Sequence, residues 1–207
     1  MRSVLLLCAL LAVSAVAAVA PTPISAEQVH LSLGYSQEDI YVGYVTFNAT
    51  AVSFVVYGKA PNALHDFSNA TVEQFVDGGS AQKVRYMHNA ALLGLDLNTQ
   101  YYYSIVVDPS VPTKSLPVYN FTTINPNRGF TEPLRIAMFA DYGVVNDQSH
   151  DRLQIEALAD NLDLIIHSGD MAYNLDDDDG DRGDLFMNMQ QAFLSHVPYQ
   201  GKHFVLI

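Results

Sequence analysis

The sequence has 207 residues, of which 49% are apolar, and it carries a formal net charge of −12. A chain of this length and apolar content can bury a hydrophobic core, so it is predicted to fold rather than to be disordered. The ten Lys and Arg residues are scattered, which argues against nucleic-acid binding, because such binding requires clustered positive charge to neutralise phosphates.

Residues 1–20 have the pattern of a secretory signal peptide. Arg2 is followed by a run rich in Val, Leu and Ala, and small residues then suit a signal peptidase, with cleavage expected within 17–26. A membrane anchor is the alternative, but the alanine-rich run barely reaches the roughly 20 residues that a span needs. The only cysteine, Cys8, lies inside this segment, so no disulfide is expected after it. We expect a secreted or lysosomal protein, free of the membrane once the signal is removed.

Three Asn-x-Ser/Thr sequons occur, at Asn48, Asn69 and Asn120. In an exported chain each is a candidate site for an N-linked glycan on the surface. They support secretion only together with the signal peptide, since a chain with this many asparagines contains one or two sequons by chance.

Residues 27–124 consist of short β-rich runs separated by turn residues. Strands at this spacing, without helical periodicity between them, predict an all-β antiparallel sandwich. The segment from Leu95 to Tyr103 looks like a turn that enters a strand with a tyrosine corner, as in fibronectin-III-like domains. A Tyr-rich edge strand of another β fold is the alternative. The seven predicted strands are Val29–Leu33, Ile40–Phe47, Val52–Tyr57, Val72–Val76, Val84–Leu93, Tyr101–Val107 and Val118–Thr122.

The pattern changes after residue 124. Residues 125–133 are rich in Pro, Asn, Gly and Arg and are predicted to be a linker. Residues 134–207 then alternate apolar runs, at 134–140, 164–167 and 204–207, with helical patterns at 149–161 and 184–193, the second with Asp184 as a candidate N-cap. A β-α-β-α-β order of this kind predicts a parallel sheet with helices on its faces.

Two aspartates follow predicted strands of this parallel sheet. Asp141 follows the first strand and Asp170 the second, and the carboxyl ends of parallel strands lie at one edge, where ligands bind. Gly143 and Gly169 allow sharp turns beside the two carboxylates. A single Asp after a strand is more often a helix N-cap, but a pair with Tyr173 three residues beyond the second favours a site for a hard cation. Only a strongly polarising cation such as ferric iron keeps a phenol ionised in acid.

These residues resemble the purple acid phosphatase family. The family's signature opens with Gly-Asp-x-Gly and Gly-Asp-x-x-Tyr, on a metallophosphoesterase fold preceded by a fibronectin-III-like domain. The resemblance extends over nearly the whole chain after the signal, through the segments Gln28–Leu33, Val76–Gly79, Tyr86–His88, Tyr101–Tyr103, Arg182–Met187 and Val197–Tyr199.

The resemblance implies a role for each of the three residues. Asp141 would bind a ferric ion, Asp170 would bridge it to a second, divalent metal (Fe, Zn or Mn), and Tyr173 would supply the phenolate responsible for the purple colour. It also implies a secreted acid phosphatase that hydrolyses phosphomonoesters, with a truncated α/β metallophosphoesterase domain at residues 134–207.

Two positions depart from the family pattern. Ala140 replaces the first glycine, which is tolerated if its φ is negative. The family continues with Gly-Asn-His after a strand like Phe204–Ile207, and later with further histidines that complete both metals, and none of these follows here. We therefore expect the 207-residue chain to be inactive alone and the parent protein to be an enzyme. The alternative is a non-catalytic secreted glycoprotein whose β-sandwich is an interaction module.

Three other features are assigned to structure rather than chemistry. The acidic run Asp176–Asp179 fails the EF-hand spacing and is predicted to be a solvated loop. Within Arg182-Gly183-Asp184, the aspartate is expected to cap a helix rather than to mediate adhesion. His167 ends a buried strand and is expected to be a hydrogen-bonded core histidine rather than a metal ligand.

Overall fold

A computed structural model describes residues 24–111 and 116–201 of the chain. The signal segment and the predicted strand at 204–207 lie outside these residues. The described part begins with seven strands: β1 (Glu27–Leu33), β2 (Ile40–Thr46), β3 (Phe54–Gly58), β4 (Asp66–Val76), β5 (Val84–Leu92), β6 (Gln100–Val106) and β7 (Tyr119–Thr122). It continues with β8 (Ile136–Phe139), α1 (His150–Leu158), β9 (Leu164–His167), α2 (Asp181–Leu194) and β10 (Tyr199–Gly201).

The first seven strands confirm the predicted antiparallel β-sandwich. They are hydrogen-bonded in the order β1-β2-β5-β4-β3-β6-β7. The long strand β4 pairs with β3 along its first part and with β5 along its second, so it continues from one layer into the other. Strands from opposite ends of this order share one core, because Leu31 and Val42 belong to the same buried cluster as Tyr103 and Phe121. β4 begins at Asp66, six residues before the predicted Val72. The prediction missed its first half because that half is mostly polar and exposed and lacks an apolar pattern.

A tyrosine corner fixes the entry to β6, as the sequence predicted. The hydroxyl of Tyr101 accepts a hydrogen bond of 3.1 Å from the backbone N–H of Asp96, five residues upstream. The Tyr101 ring is buried and stacks on Phe121 with ring centroids 5.9 Å apart. The ring and the hydroxyl together hold the β5–β6 connection against the core.

The second part of the chain is the predicted parallel sheet with helices. Its three strands are parallel in the order β10-β9-β8, with Ile136 paired to Leu164 and Phe139 to His167. The third strand, β10, precedes the predicted strand at 204–207 and pairs with β9. Both helices contribute to a separate core, which contains Tyr142, Leu153, Ala157, Ile165, Ala172, Phe186, Phe193, Leu194 and Val197.

The predicted start of the second helix was wrong. α2 begins at Asp181, and its N-cap is Gly180 in the left-handed conformation with φ of 83°. A residue with positive φ favours glycine, which has no Cβ to clash. Asp184 therefore lies inside the first turn and is not the cap.

α2 packs along β1 and joins the two parts of the molecule through polar contacts. The side-chain oxygen of Gln191 accepts from the Val29 N–H at 2.9 Å, and that of Asn188 accepts from the Gln28 N–H at 3.1 Å. These helix side chains satisfy backbone N–H groups of β1 that would otherwise be orphaned at an interface.

Candidate metal centre

The loops that follow β8 and β9 run side by side at the carboxyl edge of the parallel sheet. Tyr142 and Met171 form a parallel bridge between them, and the Ala172 N–H donates to the Tyr142 carbonyl at 3.1 Å. Asp141 lies on the first loop, and Asp170 and Tyr173 lie on the second. The topology thus brings the three predicted ligands to one edge of the sheet.

Asp141 and Tyr173 are in direct contact. The phenol of Tyr173 donates a hydrogen bond of 2.5 Å to Oδ1 of Asp141. This hydrogen bond is the main reason that the pKa of Tyr173 lies above its ordinary value, and the charge of Asp170 raises it further. Asp170 lies on the same loop as Tyr173, and the structure shows no hydrogen bond from it to the other two side chains.

The backbone around these residues is unusual. Asp141 and Asp170 have φ values of 55° and 49°, and the φ angles of Ala172, Tyr173 and Asn174 are 60°, 50° and 71°. Left-handed backbone costs a non-glycine residue roughly 1–2 kcal/mol, and aspartate and asparagine tolerate it best. Ala172 and Tyr173 lack that tolerance, so the surrounding structure must enforce their conformation, as is common at binding sites.

Gly143 allows the two loops to approach. A Cβ at this position would lie 2.6 Å from Oδ1 of Asn146 and 3.1 Å from Cδ2 of Tyr173. The predicted need for glycine here is therefore confirmed by the contact with the Tyr173 ring. Gly169 is needed for its conformation instead, with φ of 157° and no heavy atom near the site of a Cβ. Ala140 is not one of the residues with positive φ, so alanine replaces the family's glycine there without backbone strain.

His167 is a core residue, as predicted. Its side chain is fully buried among Phe139, Tyr142 and Phe186, and its Nδ1 lies 3.0 Å from the hydroxyl of Tyr199. Burial lowers its pKa below the ordinary value for histidine. Burial thus disfavours the charged imidazole, which packs in the apolar core beneath the second loop.

Arg85 of the β-sandwich secures the far end of the β9–α2 loop, a role that was not predicted from the sequence. Its guanidinium donates to both carboxylate oxygens of Asp184, with nitrogen–oxygen distances of 2.7 to 3.0 Å. It also donates to the Asp179 carbonyl at 3.2 Å, and Asp184 accepts a further bond of 2.8 Å from Gln28. Arg85 is only 6% exposed. The available clue was a cation inside the apolar pattern of the predicted strand Val84–Leu93.

The acidic run is only partly a solvated loop. Asp176, Asp177 and Asp178 are exposed, as predicted. Asp179 instead accepts a hydrogen bond of 3.1 Å from the Ala81 N–H in the β4–β5 turn, and Asp181 pairs with Lys83 of the same hairpin. The β4–β5 hairpin therefore binds the segment that leads from Tyr173 into α2.

The three sequons occupy different environments. Asn48 and Asn69 are exposed, whereas Asn120 is half-buried between the two parts of the molecule. Oδ1 of Asn120 lies 2.7 Å from Nδ1 of His196. Asn120 is thus the least accessible of the three side chains in the folded protein.

Asp141, Asp170 and Tyr173 offer two carboxylates and a phenol, which are oxygen donors suited to a hard cation. The hydrogen bond from Tyr173 to Asp141 places a phenol oxygen 2.5 Å from a carboxylate oxygen. If an ion replaced the proton of this bond, both oxygens could bind it. Across residues 24–111 and 116–201 no three His, Cys, Asp or Glu side chains converge into a metal site.

Neither helix in these ranges has the length and apolar character to cross a membrane.

Comparison with known proteins gives concordant results for both parts of the chain. Residues 26–123 match the purple acid phosphatase N-terminal domain. Acid phosphatase type 7 of Danio rerio is 34% identical over 190 residues, which cover 90% of this chain and 41% of that protein. Acid phosphatase type 7 of Mus musculus is 30% identical over 85% of this chain and 39% of its own length.

A solved structure shares the fold. Purple acid phosphatase PPD1 from yellow lupin seeds superposes with a TM-score of 0.72 at 19% identity, over 86% of this chain and 35% of that one. The chain thus spans about two fifths of the length of these curated relatives and about a third of the lupin structure.

Proposed function

This chain belongs to the purple acid phosphatase family, and we propose that it supplies the first metal ligands of a secreted or lysosomal acid phosphatase. The substrates would be phosphomonoesters, and the cofactor would be a ferric ion with a divalent Fe, Zn or Mn. The similarity to acid phosphatases of zebrafish and mouse supports the reaction class. The predicted signal peptide and sequons support the location.

One observation carries the proposal: the contact of Tyr173 with Asp141 at the carboxyl edge of the parallel sheet. The two residues are 32 positions apart in sequence, and they meet only because the strands that precede them are adjacent and parallel. A structural aspartate after a strand would cap a helix, yet the N-caps of α1 and α2 are Ser149 and Gly180. The contact with a phenol instead supports a site in which a carboxylate and a phenolate bind the same ion.

Asp141, Asp170 and Tyr173 would hold the metal pair, with Asp141 and Tyr173 as ligands of the ferric ion. When bound, such a pair of ions would polarise the phosphate and lower the pKa of a bound water. Tyr173, whose hydroxyl donates to Asp141, would bind the ion as a phenolate after its proton is lost to solvent. Gly143 keeps the Tyr173 ring close to the first loop, and His167 and Phe186 pack beneath the second loop.

The test uses the full-length parent protein, which is secreted from the expression host and loaded with iron. The wild-type protein should hydrolyse a chromogenic phosphomonoester at acid pH and show visible tyrosinate-to-iron absorption. Tyr173→Phe should remove the absorption with little effect on the fold, because Phe keeps the ring volume. Asp170→Asn should abolish turnover, since the bridging position loses negative charge between two cations.

Tyr35→Phe is the matched control, because Tyr35 is fully exposed and belongs to the β1–β2 connection rather than to the loops that follow β8 and β9. It should keep both colour and activity. A colourless iron-loaded wild type, or a Tyr173→Phe variant that keeps its colour, would contradict the assignment of Tyr173. A wild type that binds no metal and turns over no substrate would favour a non-catalytic role for the glycoprotein.

A further inference from the structure

The strand β4 presents a glycosylation sequon beside an exposed aromatic ring. Phe67, Asn69 and Thr71 alternate along the strand and therefore share one face. All three are exposed, and Phe67 is 66% exposed. The residue between Asn69 and Thr71, Ala70, faces the other way and packs against the sandwich core.

A second ring flanks the same asparagine. Phe54 of β3 is the register partner of Asn69, so its side chain lies on the same face of the sheet. The rings of Phe54 and Phe67 meet edge to face, with centroids 6.4 Å apart and planes at 76°. Asn69 thus stands beside an aromatic surface made of one ring on its own strand and one on the neighbouring strand. We call this surface the Phe54–Phe67 platform.

The platform lies within reach of a sugar attached to Asn69. Two residues along a strand separate Cα atoms by roughly 6.6 Å, which is comparable with the width of a pyranose ring plus the asparagine side chain. The apolar C–H face of a hexosamine packs well on an aromatic ring, whose face carries partial negative charge. Such packing would remove exposed aromatic surface from water, which is favourable in proportion to the area covered.

The other two sequons lack this arrangement. The residue two positions before Asn48 is Thr46, which is fully buried. The corresponding residue before Asn120 is Val118, and Asn120 itself is held at the interface by His196. The aromatic partner at this spacing is therefore particular to Asn69.

We propose that Asn69 carries an N-linked glycan whose first N-acetylglucosamine packs on the Phe54–Phe67 platform and stabilises the β-sandwich. The glycan then covers an apolar patch on a strand that is exposed to solvent. This role depends on export of the chain and is independent of the metal centre.

A double-mutant cycle tests the proposal. The 207-residue chain is secreted from a eukaryotic host as the wild type, Asn69→Gln, Phe67→Ser and the double variant, and occupancy is measured by mass spectrometry. Loss of the glycan should lower the Tm by about 2–4 °C when Phe67 is present. The loss should be much smaller in the Phe67→Ser background, because the sugar no longer has its ring. Asn48→Gln serves as the control sequon, and its effect should not depend on Phe67.

Trimming the wild-type glycan to a single N-acetylglucosamine isolates the contact. The Tm should stay at the glycosylated value, because the first sugar alone reaches the rings. An unoccupied Asn69 in the secreted protein would overturn the proposal. Equal losses of Tm with and without Phe67 would also overturn it, since a glycan that acts without the ring does not use the platform.

Discussion

The two parts of this molecule achieve order in different ways. The β-sandwich closes on itself, because strands from both ends of its order share one core and a tyrosine corner locks its connection. Within the described residues up to 201, the α/β part has a three-stranded sheet whose edge strand β8 leaves Met138 69% exposed and Ile136 42% exposed. Its helix α2 depends on β1 and Arg85 of the sandwich for much of its polar contact.

This difference indicates that the sandwich is not a separate module, because its side chains and backbone hold one end of the loop that carries the candidate ligands. The loop that bears Asp170 and Tyr173 starts at a strand of the α/β part, but its far end is held by Arg85 and the β4–β5 hairpin. A change in the sandwich should therefore reach the candidate metal ligands, whereas a change in the ligand loop should leave the sandwich intact.

The largest expected effect follows from separating the two parts. A fragment of residues 27–124 should be soluble and unfold cooperatively in urea, because its apolar core and its strand pairing are internal and water can replace the polar contacts with α2. A fragment of residues 125–207 should lack cooperative unfolding, since removal of β1 exposes α2 and the sheet already has an apolar edge. Circular dichroism during urea titration distinguishes the cases. A cooperative transition in the second fragment would show that its order does not depend on the sandwich.

The next effect isolates the contact between the parts. Arg85→Ala should lower the free energy of unfolding by about 3–5 kcal/mol, because it leaves the Asp184 carboxylate without its buried cation. Lys83→Ala is the matched control, because Lys83 contacts Asp181 at the exposed rim of the same hairpin. It should cost about 0–1 kcal/mol.

The same variants show whether the sandwich holds the ligand loop. Arg85→Ala should speed amide hydrogen exchange in residues 168–180, while exchange in the sandwich core stays slow. If exchange in that loop were unchanged although stability fell, Arg85 would support the interface without ordering the candidate ligands.

The pH dependence of stability should also reflect both parts. Burial lowers the pKa of His88 in the sandwich, and it likewise lowers the pKa values of His167 and His196. Because the folded pKa lies below the unfolded value near ~6.5, each histidine contributes stability above that value, and the contribution is lost as pH falls towards the folded pKa. The Tm should therefore fall on acidification from pH ~7.5 to ~5.

His88→Gln tests the contribution of His88 to that loss. Its ring nitrogens lie 2.9 Å from Thr46 Oγ1 and 2.7 Å from Ser53 Oγ, so the variant should be less stable at neutral pH. The Tm of the variant should nevertheless fall less steeply with acidification. One titrating group can change the free energy of unfolding by at most about 1.4 kcal/mol per pH unit. An unchanged slope would mean that His88 titrates equally in the folded and unfolded chain.

How much of this organisation the sequence predicted depends on the range of the interaction. The seven strands, the tyrosine corner and the edge that gathers Asp141, Asp170 and Tyr173 follow from local patterns and from the geometry of parallel strands. The predicted start of α2 was wrong because Asp184 pairs with Arg85, 99 residues away, and Gly180, in the left-handed conformation, is the N-cap instead. The anchoring of Asp179 by the β4–β5 turn has the same long-range origin and leaves no periodic trace.

The smallest expected effect tests the closure of the sandwich itself. Tyr101→Phe removes the hydroxyl that accepts from the Asp96 N–H and keeps the buried ring against Phe121. One net hydrogen bond is lost and the N–H is left without its partner, so unfolding should become easier by about 1 kcal/mol. Tyr102→Phe is the control, because in the part of the chain that the structure describes its hydroxyl donates to the exposed side chain of Gln100, and it should change stability by less than about 0.5 kcal/mol. Urea denaturation of the full chain measures both. Equal effects at the two positions would mean that the corner adds no stability beyond an ordinary surface hydroxyl, and that the sandwich holds its shape through its apolar core alone.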